Sequence, residues 1–504
     1  MRRFMIAIMA LSFAGTAVAQ IETDWEKFQK DGVKDFERFK QDSYNEFESF
    51  RRQANKEYAR FMEEAWKPFE VMEAEEIPRS PKPLELHVDD APATHSKIDY
   101  DIVIESESER SLGSGSSSQS SSDIGQIDQP EPVSPIVPVF ESDVAVQTLF
   151  MYGSSFPVRV EKSKESTYKL KDASEKSVAK MWKRLSCAYF DNIVAESLRQ
   201  RKENNLCDWA YVKLTEKMAN KYFEPGSNEA VVLQMYILTQ SGYQMRMART
   251  DNQLLLLMGS KEKIYRYKYS VMDDVQYYVI DRSMQDKSIY VYDRVFPNEK
   301  QLSLAMTQPK FNLEKTKART FKANDYPELQ VTIESNKNLL DFYDDYPVCG
   351  KWNYYSSASL SDVVKKNLYP TLEHAIEGKS ELESVNILLN FVQTGFQYAT
   401  DQEQFGYERP LYPDEMFYYP YCDCEDRSIL FSCLVRELLG LDVVLLNYPC
   451  HLTTAVRFNE EVEGDYLEVE GDKYIICEPT FVKGAPAGCS GSEFKNLKPQ
   501  VIRL

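Results

Sequence analysis

Three residue types that together perform nucleophilic acyl transfer occur in order near the end of the chain: Cys424, His451 and Glu478. Cys424 heads a helical pattern in which Ile429, Leu430, Cys433, Leu434 and Leu438 share one face, with Gly440 as a natural stop. At a helix N-terminus the aligned peptide dipoles and free N–H groups stabilise a thiolate. Glu425 and Asp426 in the first turn oppose that effect, so a base is needed. His451 supplies one. It is one of four histidines in the chain and opens an apolar strand, 451–458, that follows the apolar run 443–446. A hairpin (466–469, turn 470–473, then 474–477) delivers Glu478 just before Pro479-Thr480. A carboxylate there can orient the imidazole and stabilise its charged form.

The remaining cysteines read differently. There are nine, an odd number, scattered without the dense spacing of a disulfide framework. Cys422, Cys433 and Cys477 read as buried or paired. Cys422, Cys424, Cys450 and His451 have zinc-ligand chemistry, but Cys-x-Cys with Cys-His lacks the usual finger spacings. No metal and no cofactor is expected. The oxyanion donor expected by default is the backbone N–H of Cys424, with Gln404 or a nearby tyrosine as further candidates.

Cys-Glu-Asp before an apolar helix ending in Leu-Gly, a histidine at the head of a strand, and acid-Pro-Thr after a hairpin together resemble the transglutaminase-like superfamily of papain-type folds. The chain is most similar to its exported bacterial members. The resemblance runs from about 381 to 481 and includes Tyr398-Ala399-Thr400-Asp401 and Glu403-Gln404-Phe405-Gly406. It implies an α+β, papain-like domain over 356–504, with Cys424 as nucleophile, His451 as general base and acid, and Glu478 as the orienting carboxylate. It further implies a cysteine peptidase or amidase acting on a protein or peptide substrate. The family usually has Asp before Pro-Thr, and here Glu478 stands instead. The rival reading is a non-catalytic scaffold that assembles through its N-terminal helix.

The elements in front of this segment divide by composition. Residues 1–19 carry a basic start (Arg2, Arg3), an apolar run and Ala17-Val18-Ala19, the pattern of a signal peptide. Export to the periplasm or beyond, with possible envelope association, follows from it. Over 20–70 the aromatics Trp25, Phe36, Phe47, Tyr58 and Phe69 recur every eleven residues. Phe28, Phe39, Phe50 and Phe61 repeat likewise, as do the small residues Gly32, Ser43, Ala54 and Ala65. An eleven-residue repeat keeps one stripe on one face of a helix, here some ~70 Å long at about 1.5 Å per residue. That stripe over 22–70 predicts packing on the body, self-association or envelope contact.

A linker without periodicity, Ser-rich at 111–122 and Pro-rich at 130–138, is expected over 71–138. An α/β accessory domain is expected over 139–290 and a β-rich connection over 291–355. Within the accessory domain, the order from 206 to 283 parallels the Cys424 segment. Ser227-Asn228-Glu229 opens an apolar helix, and Tyr277 to Asp281 matches Tyr474 to Glu478. No histidine lies between 206 and 283, so this region reads as a degenerate copy or a generic α/β segment in the same order. The net charge of -19 excludes nucleic acid as an expected partner, because phosphate binding needs clustered Lys and Arg.

Overall fold

The computed structural model describes residues 34, 38, 39, 41–43, 45–77, 96–104, 144–161, 168–186, 188–449, 451–491, 494 and 497–504. The expected signal peptide, the start of the aromatic helix and most of the expected linker lie outside them. Two six-stranded sheets, each covered by helices, organise the described chain. Helices begin where the sequence offers caps. Ser174 and Ser227 accept N–H bonds from the first turns of Glu175–Leu185 and Asn228–Gln240. Ser380 and Glu383 form a reciprocal capping box on Glu381–Gly395.

The first sheet orders its strands Lys67–Glu70, Ser288–Tyr292, Met245–Arg249, Leu254–Gly259, Val275–Val279 and Tyr269–Met272. The second orders them Val103–Ile104, Gln500–Arg503, Val443–Tyr448, His451–Arg457, Asp472–Cys477 and Tyr466–Val469. Matched in chain order, the two sequences of neighbours are the same. One pairing differs: Lys67–Glu70 runs antiparallel to its neighbour, whereas Val103–Ile104 runs parallel. In each half two helices pack together beside the sheet: Asp208–Tyr222 on Asn228–Gln240, and Glu381–Gly395 on Cys424–Leu439.

The helix Cys424–Leu439 is buried at every position from Cys424 to Val435. It therefore carries small polar residues whose hydroxyls bond inward: Ser428 Oγ donates to Leu452 O at 2.9 Å and Ser432 Oγ to Ile429 O at 2.8 Å. Gly440 ends it in the left-handed region at φ 64°, which glycine adopts without Cβ strain. Tyr412 joins the two halves, with its ring 4.5 Å from Tyr343 and 4.9 Å from Tyr355. Tyr354 donates to the buried carboxylate of Glu262 at 2.6 Å across the same boundary.

The aromatic helix is shorter than the repeat predicts. It ends at 62, and Lys67–Glu70 is instead an edge strand beside Ser288–Tyr292. Pro68 is the reason. Lacking an N–H and restricting the residue before it, proline disfavours a continued helix, but it is tolerated at a sheet edge, where Pro68 faces Tyr290. The helix over 45–62 docks on the first core through Ala54, Tyr58, Ala59 and Met62.

The expected linker also contains ordered pieces. Met72 bridges to Tyr269, Lys97 bridges to Tyr466, and Val103–Ile104 completes the second sheet. The accessory region opens with two helices, Glu175–Leu185 and Ala188–Glu203. The connection over 291–355 contains helices Lys337–Asp344 and Trp352–Ser357 as well as strands.

Candidate active site

The strand pair Gln397–Tyr398 and Tyr421–Cys422 runs parallel and feeds the chain directly into the helix at Cys424. Arg427, one turn along and fully buried, clamps the segments that meet there. It donates to Gln393 O at 3.0 Å, Phe396 O at 2.9 Å and Pro479 O at 3.5 Å. The carbonyls at a helix C-terminus carry partial negative charge, so the end of Glu381–Gly395 is a natural seat for this guanidinium.

His451 begins its strand opposite Tyr448 and is buried. Its ring stacks on Phe494, with centroids 4.5 Å apart and planes 14° from parallel. Its Nε2 lies 2.8 Å from Glu478 Oε2, with both side chains almost fully buried. The other Glu478 oxygen accepts the Thr480 backbone N–H at 3.1 Å and the Thr480 hydroxyl at 2.7 Å. Burial alone would push the Glu478 carboxyl up. The His451 charge, the His451 hydrogen bond and the two Thr480 donors outweigh it and hold the group below the usual carboxylate range. Nδ1 of His451 is buried with no hydrogen-bond partner.

His451 and Glu478 form one buried pair, and the strand that His451 opens packs against the helix headed by Cys424. The Leu452 backbone N–H, next to His451, faces the Cys424 sulfur. The thiol, however, does not bond the imidazole. It donates to Glu425 Oε2 at 3.0 Å. Burial and the charges of Glu425 and Asp423 push the Cys424 thiol well above its usual range, and the Leu452 N–H only partly offsets them. The helix N-terminus is in place as the sequence predicts, but in this arrangement the adjacent acids dominate it.

Those acids belong to a buried nest. One ligand atom from each of Asp401, Asp423 and Asp426 lies within 4.8 Å of the others. The same holds for Asp423, Cys424 and Glu425, and for Asp401, Glu408 and Glu425. The carboxylate oxygens among them, though not the Cys424 sulfur, are donors that a hard cation takes. Hydrogen bonds already engage much of the set: Arg409 N donates to Asp401 at 2.5 Å, Leu411 N and Asp423 N donate to Asp426 at 2.8 and 3.2 Å, and Asp401 N donates to Asp423 at 3.3 Å. The zinc set weighed from sequence is not among these groups, and Cys450 lies outside the described residues.

Burial and the neighbouring carboxylates push Asp401 up to about 10 and Asp426 up to about 8. An unfolded aspartate ionises near ~3.9. Between there and the folded values the native chain binds more protons, so these groups make stability fall as pH rises. Replacing Asp401 with Asn is expected to flatten that decline when melting temperature is followed from about pH 5 to about pH 9. Parallel curves for the two proteins would count against the assignment.

The Tyr398 side chain lies near the thiol. Tyr398 has a buried hydroxyl with no hydrogen-bond partner, and the Cys424, Asp423 and Glu425 charges, with burial, suppress its ionisation. Gln404, a candidate oxyanion donor, is occupied: its amide brackets the Tyr421 backbone, accepting from N at 3.0 Å and donating to O at 3.1 Å. Phe494, the platform for the imidazole, gave no signal because its partner is 43 positions away in a stretch without pattern. Cys207, Cys349, Cys422, Cys424, Cys433 and Cys477 are free thiols. Burial pushes Cys422 up to about 11 and Cys433 up to about 12.

Set against known proteins, the chain matches no family model, no curated protein and no solved structure. Its function is therefore read from its own residues. Among the described residues no helix is long and apolar enough to cross a membrane.

Proposed function

We propose that the chain is an exported, transglutaminase-like cysteine hydrolase, a peptidase or amidase that works by acyl transfer on a protein or peptide. The observation that carries this reading is the buried His451–Glu478 pair at 2.8 Å, which leaves Nδ1 unpartnered beside the helix that begins at Cys424. In the reacting form the Cys424 thiol leaves Glu425 and passes its proton to Nδ1. The sulfur attacks the carbonyl carbon of an amide, and the tetrahedral anion is met by the Cys424 backbone N–H and the Tyr398 hydroxyl. The imidazolium then protonates the leaving amine, and water, activated by the same imidazole, releases the acid. Export rests on Arg2, Arg3 and the apolar run behind them.

A scaffold without turnover has one observation in its favour. Phe39, Phe47 and Phe50, on the predicted stripe, are 69%, 45% and 48% exposed. A panel of peptide and glutamine-amide substrates, tested with the wild type and Cys424→Ala, separates the two readings. The hydrolase reading requires turnover that vanishes with Cys424. Iodoacetamide reports on the thiol directly: Glu425→Gln is expected to raise Cys424 alkylation at neutral pH by roughly tenfold, the equivalent of about one pK unit. His451→Ala in that background should remove the gain. Absence of turnover, together with alkylation indifferent to Glu425 and His451, would favour the scaffold.

A further inference from the structure

The first sheet poses a question of its own, because the topology that presents Cys424, His451 and Glu478 is built twice. Register fixes which residues correspond. In the second half Tyr448 and His451 flank a two-residue turn. In the first, Thr250 N bonds Gln253 O across a turn of the same length, which sets Gln253 against His451 and Leu254 against Leu452. Continuing along the strands, Leu257 faces Val279 where Ala455 faces Ile476. Two residues further on, Asp281 falls on Glu478. The outer strand agrees independently: Ala248 faces Val291 and Met247 faces Tyr292, where Leu446 faces Val501 and Leu445 faces Ile502. Asn228 and Cys424 are each the first residue of their helices.

The hydrogen bonds repeat as well. Asn228 Oδ1 accepts the Leu254 N–H at 2.8 Å, just as the Cys424 sulfur faces the Leu452 N–H. Gln253 Nε2 donates to Asp281 Oδ2 at 3.2 Å, in the manner of the His451–Glu478 contact. Asp281 Oδ1 accepts from Ser283 N at 2.9 Å and Ser283 Oγ at 2.6 Å, two residues on, as Glu478 does from Thr480.

We infer that the chain contains an internal duplication, and that the first copy is a retired form of the same site with Asn228, Gln253 and Asp281 in place of Cys424, His451 and Glu478. What chemistry was lost rests on the hydrolase reading of the second site; where the retired site lies rests on register alone. An amide at 228 is no nucleophile, and an amide at 253 accepts no proton at neutral pH. The carboxylate and its Ser283 cradle remain. The trio also sits nearer solvent: Gln253 is exposed and Asn228 and Asp281 are half-buried, whereas its counterparts are buried.

The site can be re-armed. In a Cys424→Ala background, Asn228→Cys combined with Gln253→His is expected to react with iodoacetamide at neutral pH at least about tenfold faster than Asn228→Cys alone. The thiol proton passes to the installed imidazole, the sulfur–carbon bond forms as the carbon–iodine bond breaks, and iodide leaves. Adding Asp281→Asn should remove most of the gain. Equal rates in the single and double variants, with both folded by thermal melting, would overturn the inference. An experimental structure of the wild type supplies the second arm. Superposition of the two sheets must bring the three Cα positions of each set together, and failure to do so overturns the duplication whether or not Cys424 turns over any substrate.

Discussion

Exchanging Glu478 for Gln is expected to slow Cys424-dependent acyl transfer by about three to four orders of magnitude with little change in KM. The size follows from which way the new amide must point. Thr480 sends two donors, its N–H and its hydroxyl, to Oε1 of Glu478. In the variant those donors hold the amide oxygen on their side, so the amide nitrogen faces His451. An N–H aimed at Nε2 forces the imidazole proton onto Nδ1, the nitrogen that must accept the thiol proton. Glu478→Asp keeps a carboxylate at shorter reach and should retain much more activity, since the fault in the Gln variant is the tautomer. Steady-state kinetics of the two variants test this directly, and a Gln variant within tenfold of wild type would sink the proton-transfer role of His451. The same carboxylate links stability to acid. Its folded pKa lies below its unfolded value. Its contribution is therefore present above about pH 4.3 and is lost as pH falls through the folded value.

Much of this arrangement was legible because its signals are local. The Cys424 helix declares its start through Glu425 and Asp426 and its end through Gly440, while its burial on every side up to Val435 exceeds the single apolar face that the spacing predicts. The Tyr474–Cys477 arm likewise announces itself as a short apolar run behind the turn at Gly471. What escaped depends on partners far along the chain or on side-chain direction. Whether the Cys424 thiol turns toward His451 or Glu425 is a matter of one rotamer in a crowded nest, and no pattern encodes it. The orphan hydroxyl of Tyr398 becomes meaningful only once its strand pairs with Tyr421–Cys422. Ala65 and Phe69 continue the eleven-residue series, yet Pro68 and a strand some 220 positions away end the helix before them. The correspondence of Asp281 with Glu478 was visible as Tyr277 to Asp281 beside Tyr474 to Glu478. The match of Gln253 with His451 was not, because two residue types so unlike reveal their kinship only through register.

Arg51→Ala is expected to destabilise the chain by about 3–5 kcal/mol, the cost of leaving a buried charge without its partner. Arg51 is 2% exposed although it lies on a helix whose outer face is charged. It forks onto Asp191 with bonds of 2.6 and 2.7 Å and also reaches Glu48 at 2.6 Å. Asp191 is itself buried, so removing the guanidinium strands a carboxylate. One turn on, Asn55 exchanges hydrogen bonds with Gln240 at 3.0 and 3.1 Å and accepts the Trp182 indole N–H at 2.9 Å. Tyr58 then packs its ring against Trp182, Tyr292 and Phe296. The helix is therefore part of the first core, and unfolding in urea should show a single lower midpoint with an unchanged slope. Replacing both partners with apolar residues, Arg51→Met with Asp191→Leu, should recover much of the loss, because the penalty lies in the unpaired charge. A loss under about 1 kcal/mol for Arg51→Ala would show that the helix rests on the body without belonging to it. In that case the stripe of Phe39, Phe47 and Phe50 would be better read as one end of a detachable arm than as the overhang of a core helix.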